Sequence, residues 1–296
     1  MRGRYLAGRP WRSMTHEIGS LIAPDDVTLF TRRWTPDGPV RGVVALVHGI
    51  HEHSGRYAYV ASALMRRGFA VHALDLRGHG RSHGTRGHVD DFGEYVDDVQ
   101  AHLLDVRKRV GSVPLFLMGH SMGGLVVASY VVSKGTDGLE GVILSSPAIQ
   151  LPDDTPAVLQ KLAPLVARWL PAVPVSKVDL SQLSHDPTVA RAYEEDPLNT
   201  VRGVRARTGY EILRAGERVR QHPEAFDVPL FLFHGTADAI TDPAGTTWLA
   251  EHAASDDVTL RLWADLFHET LNEVERDDVI AALADWLEAH MPAEAT

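Results

Sequence analysis

The sequence contains no cysteine. That absence removes disulfides, thiolate metal sites and a cysteine nucleophile together, and it fits a reducing cytosol. Lysine is scarce as well. Four lysines (108, 134, 161 and 177) stand among 29 basic residues, and the arginine surplus reads as genome bias rather than function. No apolar run reaches the roughly 18 residues needed to span a bilayer, so an integral membrane protein is not expected. Positive charge is in deficit too: the formal net charge of −10 argues against nucleic acid as a partner, because phosphate binding needs a basic face. Only the start runs the other way, with Arg2, Arg4, Arg9 and Arg12. It lacks the apolar stretch of a secretory signal. Residues 1–14 therefore read as a disordered leader or an over-long start, with Met14 as an alternative initiator.

What is present is an alternation of short β-rich runs with longer segments of helical period, the pattern of a mostly parallel sheet flanked by helices. Strands are expected at Val27–Trp34, Val43–Val47, Phe69–Leu74, Leu115–Met118, Val142–Ser145, Leu230–Phe233 and Val258–Trp263. The continuous apolar character of Val43–Val47 and Leu230–Phe233 marks strands buried on both faces. Helices are expected near Tyr57–Arg67, Tyr95–Val110, Met122–Lys134, Ala244–His252 and Val274–His290. From about Ile149 to Pro229 no strand pattern shows and prolines are dense, while helical period returns in Ala157–Leu170 and Val204–Gln221. The expectation is an α/β core of residues 15–148 and 229–296, with a helical cap inserted at 149–228.

Gly119-His120-Ser121-Met122-Gly123 matches G-x-S-x-G, a sharp strand-to-helix turn that lifts a serine hydroxyl above a sheet. The pattern alone arises by chance about one time in ten in a chain this long. Its setting is more specific, since an apolar strand precedes it and the helical run Leu125-Val126-Val127-Ala128 follows. A serine hydroxyl is a weak nucleophile until a base takes its proton, so a carboxylate and a histidine should follow in the order Ser…Asp…His. Among sixteen histidines, position must choose. Asp238 lies just past the strand ending at Phe233, and His268 lies on the loop before the final helix, both at the sheet edge where open α/β sheets gather ligands. Asp242 and Asp265 are rival carboxylates, Asp242 reading also as a helix N-cap before Pro243. His234 and His252 are rival bases. The oxyanion donors expected are the N–H groups of Met122, at a helix N-terminus, and Ile50, after the strand ending at Val47. His48 reads as a structural histidine. His48, His51 and His53 lack the carboxylate–histidine pattern of a metal site, so neither metal nor organic cofactor is expected. The fold implied is an α/β-hydrolase.

Several runs resemble monoacylglycerol lipases. They are His48-Gly49-Ile50-His51-Glu52-His53-Ser54-Gly55-Arg56-Tyr57, Asp75-Leu76-Arg77-Gly78-His79-Gly80-Arg81-Ser82 and Gly119-His120-Ser121-Met122-Gly123-Gly124, with Leu183-Ser184-His185-Asp186-Pro187 and Tyr193-Glu194-Glu195-Asp196-Pro197-Leu198 in the insertion. The likeness spans roughly Thr28 to Leu287. It implies the triad Ser121, Asp238 and His268, donors Ile50 and Met122, and a glycerol end held near Glu52, Arg56 and Tyr193. A Glu52–Arg56 ion pair that merely shapes the loop is the alternative. Ile50 departs from the family, which often carries a smaller residue there. The first cap helix offers Leu159, Leu162, Leu165, Val166, Trp169 and Leu170, an apolar set that either packs inward or lines an acyl tunnel and touches lipid. Leu159, Leu162 and Val166 are taken as acyl contacts, and the expected location is cytoplasmic with peripheral membrane contact. The implied reaction is hydrolysis of a monoacylglycerol. A lysophospholipase, a peptidase using Glu194-Glu195 to hold an amine, and a non-catalytic ligand-binding receptor are its rivals. A dehalogenase is excluded, because that chemistry needs Asp where this chain has Ser121.

Overall fold

The computed structural model describes residues 16–152, 157–200 and 203–292, and of 157–162 the backbone alone. The leader assigned to residues 1–14 lies outside the described residues. The described residues begin with β1 (His16–Ile22) and β2 (Thr28–Trp34), followed by β3 (Gly42–Val47), α1 (Ala58–Arg66), β4 (Phe69–Leu74), α2 (Gly93–Val110), β5 (Leu115–His120), α3 (Met122–Lys134) and β6 (Gly141–Ser145). Next come α4 (Ala157–Trp169), β7 (Pro174–Ser176), α5 (Pro187–Glu195), β8 (Val204–Arg205) and α6 (Ala206–Gln221). The chain then returns to the sheet with β9 (Leu230–Gly235), α7 (Pro243–His252), β10 (Val258–Trp263) and α8 (Arg276–Ala289).

Eight strands form one sheet in the order β1-β2-β4-β3-β5-β6-β9-β10. From β4 across to β10 all neighbours are parallel, while β1–β2 and β2–β4 are antiparallel. Every residue of β3, β4, β5, β6 and β9 is buried. That follows from covering both faces: α1 and α8 pack with Val44, Leu46 and Phe231 on one side, and α2, α3 and Leu249 of α7 pack with Val43, Ala45 and Leu117 on the other. Each fully buried leucine or phenylalanine of these strands contributes about 2 kcal/mol of transfer free energy. The fold is that of an α/β-hydrolase.

Three elements were not expected. β1 reads His-Glu-Ile-Gly-Ser-Leu-Ile and is largely exposed. As an edge strand it carries no alternation strong enough to mark it. The second is α5, hidden because Pro187 reads as a breaker; it occupies the first helical position, where no N–H is needed, and the Asp186 side chain caps Thr188 N at 2.9 Å. The third is the short antiparallel pair β7–β8 within the insertion, at three and two residues too brief to leave a pattern. Residues between β6 and β9 are not separate from the core: Ile212, Ala215 and Val219 of α6 pack into it with α3.

Candidate active site

β5 delivers its last residue, His120, to the C-terminal edge of the sheet, and α3 starts at Met122. Ser121 between them has φ 55° and ψ −123°, a conformation that costs a non-glycine residue on the order of 1–3 kcal/mol. It is held there by its N–H to Ser145 O (2.9 Å) and by its carbonyl, which accepts from Leu125 N and Ala148 N. The flanking glycines are required by space. A Cβ at Gly119 would collide with the Gly123 carbonyl, and one at Gly123 with the carbonyls of Val47 and His48.

The structure brings Ser121, His268 and Asp238 together. Ser121 Oγ donates to His268 Nε2 at 2.8 Å, and His268 Nδ1 donates to Asp238 Oδ2 at 2.7 Å. Asp238 sits just beyond β9, where Oδ1 accepts from Ile240 N (2.7 Å) and Thr241 N (3.0 Å). Oδ2 also accepts from His234 Nε2 at 2.9 Å. Burial works against the Asp238 charge, but His268 and His234 outweigh it and hold the carboxyl far below its ordinary range. Burial likewise opposes charging of His268, yet the Asp238 carboxylate prevails and raises its pKa above the usual histidine value. The rivals are occupied elsewhere. Asp242 caps α7 through Ala244 N, Asp265 is exposed, His252 stacks on Trp248, and His234 reaches Asp238 rather than Ser121.

The Met122 N–H is in the first turn of α3, where geometry leaves an amide without an intrahelical acceptor. Ile50 follows β3 in the turn His48-Gly49-Ile50 and lines the cavity above Ser121 with Gly49. His48 is buried and pins this turn, its Nδ1 donating to Gly49 O (2.7 Å) while Nε2 accepts from Leu76 N (2.9 Å). Glu52 pins it from below. Its Oε1 accepts from Gly49 N (2.6 Å) and Tyr57 Oη (2.7 Å), and its Oε2 accepts from Arg56 Nη1 (2.6 Å). Burial disfavours the Glu52 charge, but Arg56 and the neighbouring histidines more than compensate, and its carboxyl is pushed down to about 2.

Arg56 lies behind the cavity wall, not on it. Besides Glu52 it donates to both oxygens of Glu269 (2.6 and 2.7 Å), and its guanidinium is 4.9 Å from the centre of the Tyr193 ring. Glu269 was not anticipated, although it follows His268 directly. Its partner lies 213 residues away, a separation that hides the pair; adjacency to the triad histidine was the available signal. Tyr193, from α5, is buried and lines the cavity with Glu52, Glu269, Leu183 and Val178. Val166 is half-buried on α4 and is not among the described residues lining that cavity, while the side chains of Leu159 and Leu162 lie outside the described residues.

The loop bearing His268 is stitched to the segment preceding α5. His268 N donates to Gln182 O (3.3 Å) and Glu269 N to Leu183 O (2.8 Å). Buried Glu273 gathers Phe267 N (2.8 Å), His185 N (2.9 Å) and His185 Nδ1 (2.9 Å). The cavity directly over Ser121 measures about 30 Å³, room for roughly one water. Val178 and Tyr193 also line a neighbouring cleft of about 710 Å³, so these two residues form the partition between the nucleophile and the larger space.

A family model described as "Serine aminopeptidase, S33" matches residues 38–275. Monoacylglycerol lipase from Mycolicibacterium smegmatis is 35% identical over 279 residues, covering 94% of this chain and 99% of that protein. The chain belongs to the monoacylglycerol lipase family of α/β-hydrolases. Phospholipase YtpA of Bacillus subtilis is 34% identical, over 84% of this chain and 95% of its own. The crystal structure of Paleococcus ferrophilus monoacylglycerol lipase superposes with a TM-score of 0.79 at 34% identity, covering 88% of this chain and 99% of that one. As a family member the protein is a serine ester hydrolase. No helix among the described residues is long and apolar enough to cross a membrane.

Proposed function

We propose that the protein hydrolyses monoacylglycerols, with Ser121 as nucleophile, His268 as general base and acid, and Asp238 as the carboxylate that orients His268. His268 Nε2 would take the Ser121 proton as Oγ attacks the ester carbonyl. The Ile50 and Met122 N–H groups would hold the resulting oxyanion. Protonation of the leaving oxygen by His268 would release glycerol, and a water deprotonated by the same imidazole would free the fatty acid from Ser121.

The observation that carries the choice of substrate is the pair of carboxylates, Glu52 and Glu269, on the cavity wall beside Ser121. Carboxylates accept hydrogen bonds and donate none, so this wall suits an alcohol with free hydroxyls to offer. A monoacylglycerol has two. The same carboxylates also accept from Arg56, Gly49 N, Tyr57 and Asn272, so what they offer a substrate is the remaining lone pairs, each enough for one hydroxyl. Rates of hydrolysis of mono-, di- and triacylglycerols of one acyl chain test the proposal. Each capped hydroxyl loses one hydrogen bond to a charged acceptor, about 1.5–3 kcal/mol, so the rate should fall roughly ten- to a hundredfold at each step. Equal rates on all three would overturn it.

Residues 149–228 would act as a cap whose outer face meets the lipid surface. Leu165, Trp169 and Leu170 are 56%, 69% and 55% exposed at the end of α4, with Val173 and Val175 exposed just after. An apolar patch of this kind suits transient seating at a lipid–water interface. Co-sedimentation with phosphatidylcholine vesicles should be lost in Trp169→Asp/Leu170→Asp; unchanged binding would argue for another role. Because about 30 Å³ cannot hold an acylglycerol, the Tyr193–Val178 partition would move aside during entry.

A further inference from the structure

Behind the cavity wall lies the Arg56 guanidinium, which is not among the described residues lining the cavity. Arg56 makes one contact to Glu52 and two to Glu269, and the Tyr193 ring covers its face. Among the described residues lining the cavity above Ser121 there is no lysine or arginine, while two carboxylates reach its surface. Burial and the neighbouring His268 push the wall histidine His120 down to about 4, so it adds no positive charge near neutrality. The group formed by Glu52, Glu269 and Arg56 therefore carries one net negative formal charge, and its two carboxylates reach the cavity surface.

We infer that Glu269 is a specificity-determining residue: by occupying two N–H groups of Arg56 and fronting them with its own charge, it admits esters of neutral polyols and rejects esters whose alcohol bears a phosphate. The inference rests on the acylglycerol reading above and extends it by naming what the site refuses. Two features make Glu269 rather than Glu52 the filter. Glu52 also holds Gly49 N and Tyr57, so it shapes the turn that carries Ile50. Glu269 is anchored through its backbone N–H to Leu183 O, independently of its side chain. The backbone tie to Leu183 survives replacement of the carboxylate, which gives up its Asn272 and Arg56 contacts, and the N–H groups released on Arg56 form the planar fork that matches a phosphate.

The test compares kcat/KM on a 1-monoacylglycerol and on the 1-acylglycerol 3-phosphate of the same chain, for wild type, Glu269→Gln and Glu269→Ala. Rates are normalised to sites titrated with a fluorophosphonate, so misfolded protein does not count. The wild type should favour the neutral ester at least a hundredfold. Both variants should narrow that preference tenfold or more, chiefly through a lower KM for the phosphate ester. A wild-type preference near unity, or two activities that fall in parallel with the ratio unchanged, would overturn the inference. Competitive inhibition of the wild type by glycerol and by glycerol 3-phosphate gives the same answer without any variant: glycerol should bind more tightly, and the reverse order contradicts the filter. Failure of the substrate reading looks different. There the wild type would cleave a short reporter ester but not the monoacylglycerol, and the filter would be read from the two inhibitors alone.

Discussion

Glu52 holds the oxyanion turn and the Arg56 cation at once, so two substitutions at this position should separate those roles. In Glu52→Gln the amide oxygen can stay at the Oε1 position and keep the bonds from Gly49 N (2.6 Å) and Tyr57 Oη (2.7 Å). Its NH2 then faces Arg56 Nη1, which now sits 2.6 Å from Oε2. One charge-assisted bond becomes a donor–donor contact, a loss of about 2–3 kcal/mol, with Glu269 still holding the guanidinium. In Glu52→Ala, the Gly49 amide, the Tyr57 hydroxyl and one Arg56 N–H all lose their partner, and the cost rises to about 3–5 kcal/mol, as for other buried pairs broken on one side. At roughly 2–4 °C per kcal/mol, Tm should fall by about 4–12 °C for Gln and about 6–20 °C for Ala, with Ala the lower of the two. Catalysis should separate further. Glutamine keeps the Gly49–Ile50 turn in place and should lower kcat less than about tenfold. Alanine frees the turn that presents one oxyanion donor, a loss of about a hundredfold. Thermal unfolding and steady-state hydrolysis of a short-chain ester, per titrated site, measure both. Equal kcat in the two variants would refute the idea that Glu52 positions the oxyanion turn.

The raised pKa of His268 has a kinetic consequence: the base must be neutral to accept the Ser121 proton, so the acid limb of kcat/KM should lie above pH 6.5, and a midpoint below it contradicts the Asp238 pairing. Stability should fall in acid. Burial drives His72 down to about 3 and His102 down to about 4, so both are neutral in the folded chain while the unfolded chain takes up protons near pH 6.5. The stability they allow is fully present above 6.5 and lost as pH drops toward 4, at about 1.4 kcal/mol per unit for each. Urea midpoints should hold level from pH 7.5 to about 6.5 and decline from there to pH 5, and a flat profile throughout would show that these histidines ionise freely. Glu273→Ala should strand Phe267 N and the two His185 donors, reducing kcat on the order of tenfold along with Tm. Loss of Tm alone would mean the carboxylate supports the fold without fixing the His268 loop.

Much of this was legible in the sequence because two signals were local. The G-x-S-x-G elbow depends on contiguous residues, and the core strands announce themselves by unbroken apolar runs that only double-sided burial explains. Asp238 and His268 could be located because both follow strands at one edge of the sheet. Signals spread through space were not legible. Glu269 acquires its role from Arg56 only once the loop after β10 is folded against the segment after β3. β1 left no pattern because an exposed edge strand has no face to hide. α5 was masked by Pro187, whose position at the helix start cannot be told from a break without the Asp186 cap in view.

The claim on which all else depends is that Ser121 is the nucleophile, raised by its strained turn toward His268. Mass-spectrometric mapping of a fluorophosphonate adduct tests it most directly. A single modification is expected on the peptide carrying Ser121, absent in Ser121→Ala, whose esterase rate should fall at least about ten-thousandfold. An adduct on another residue, or full activity in Ser121→Ala, would contradict it.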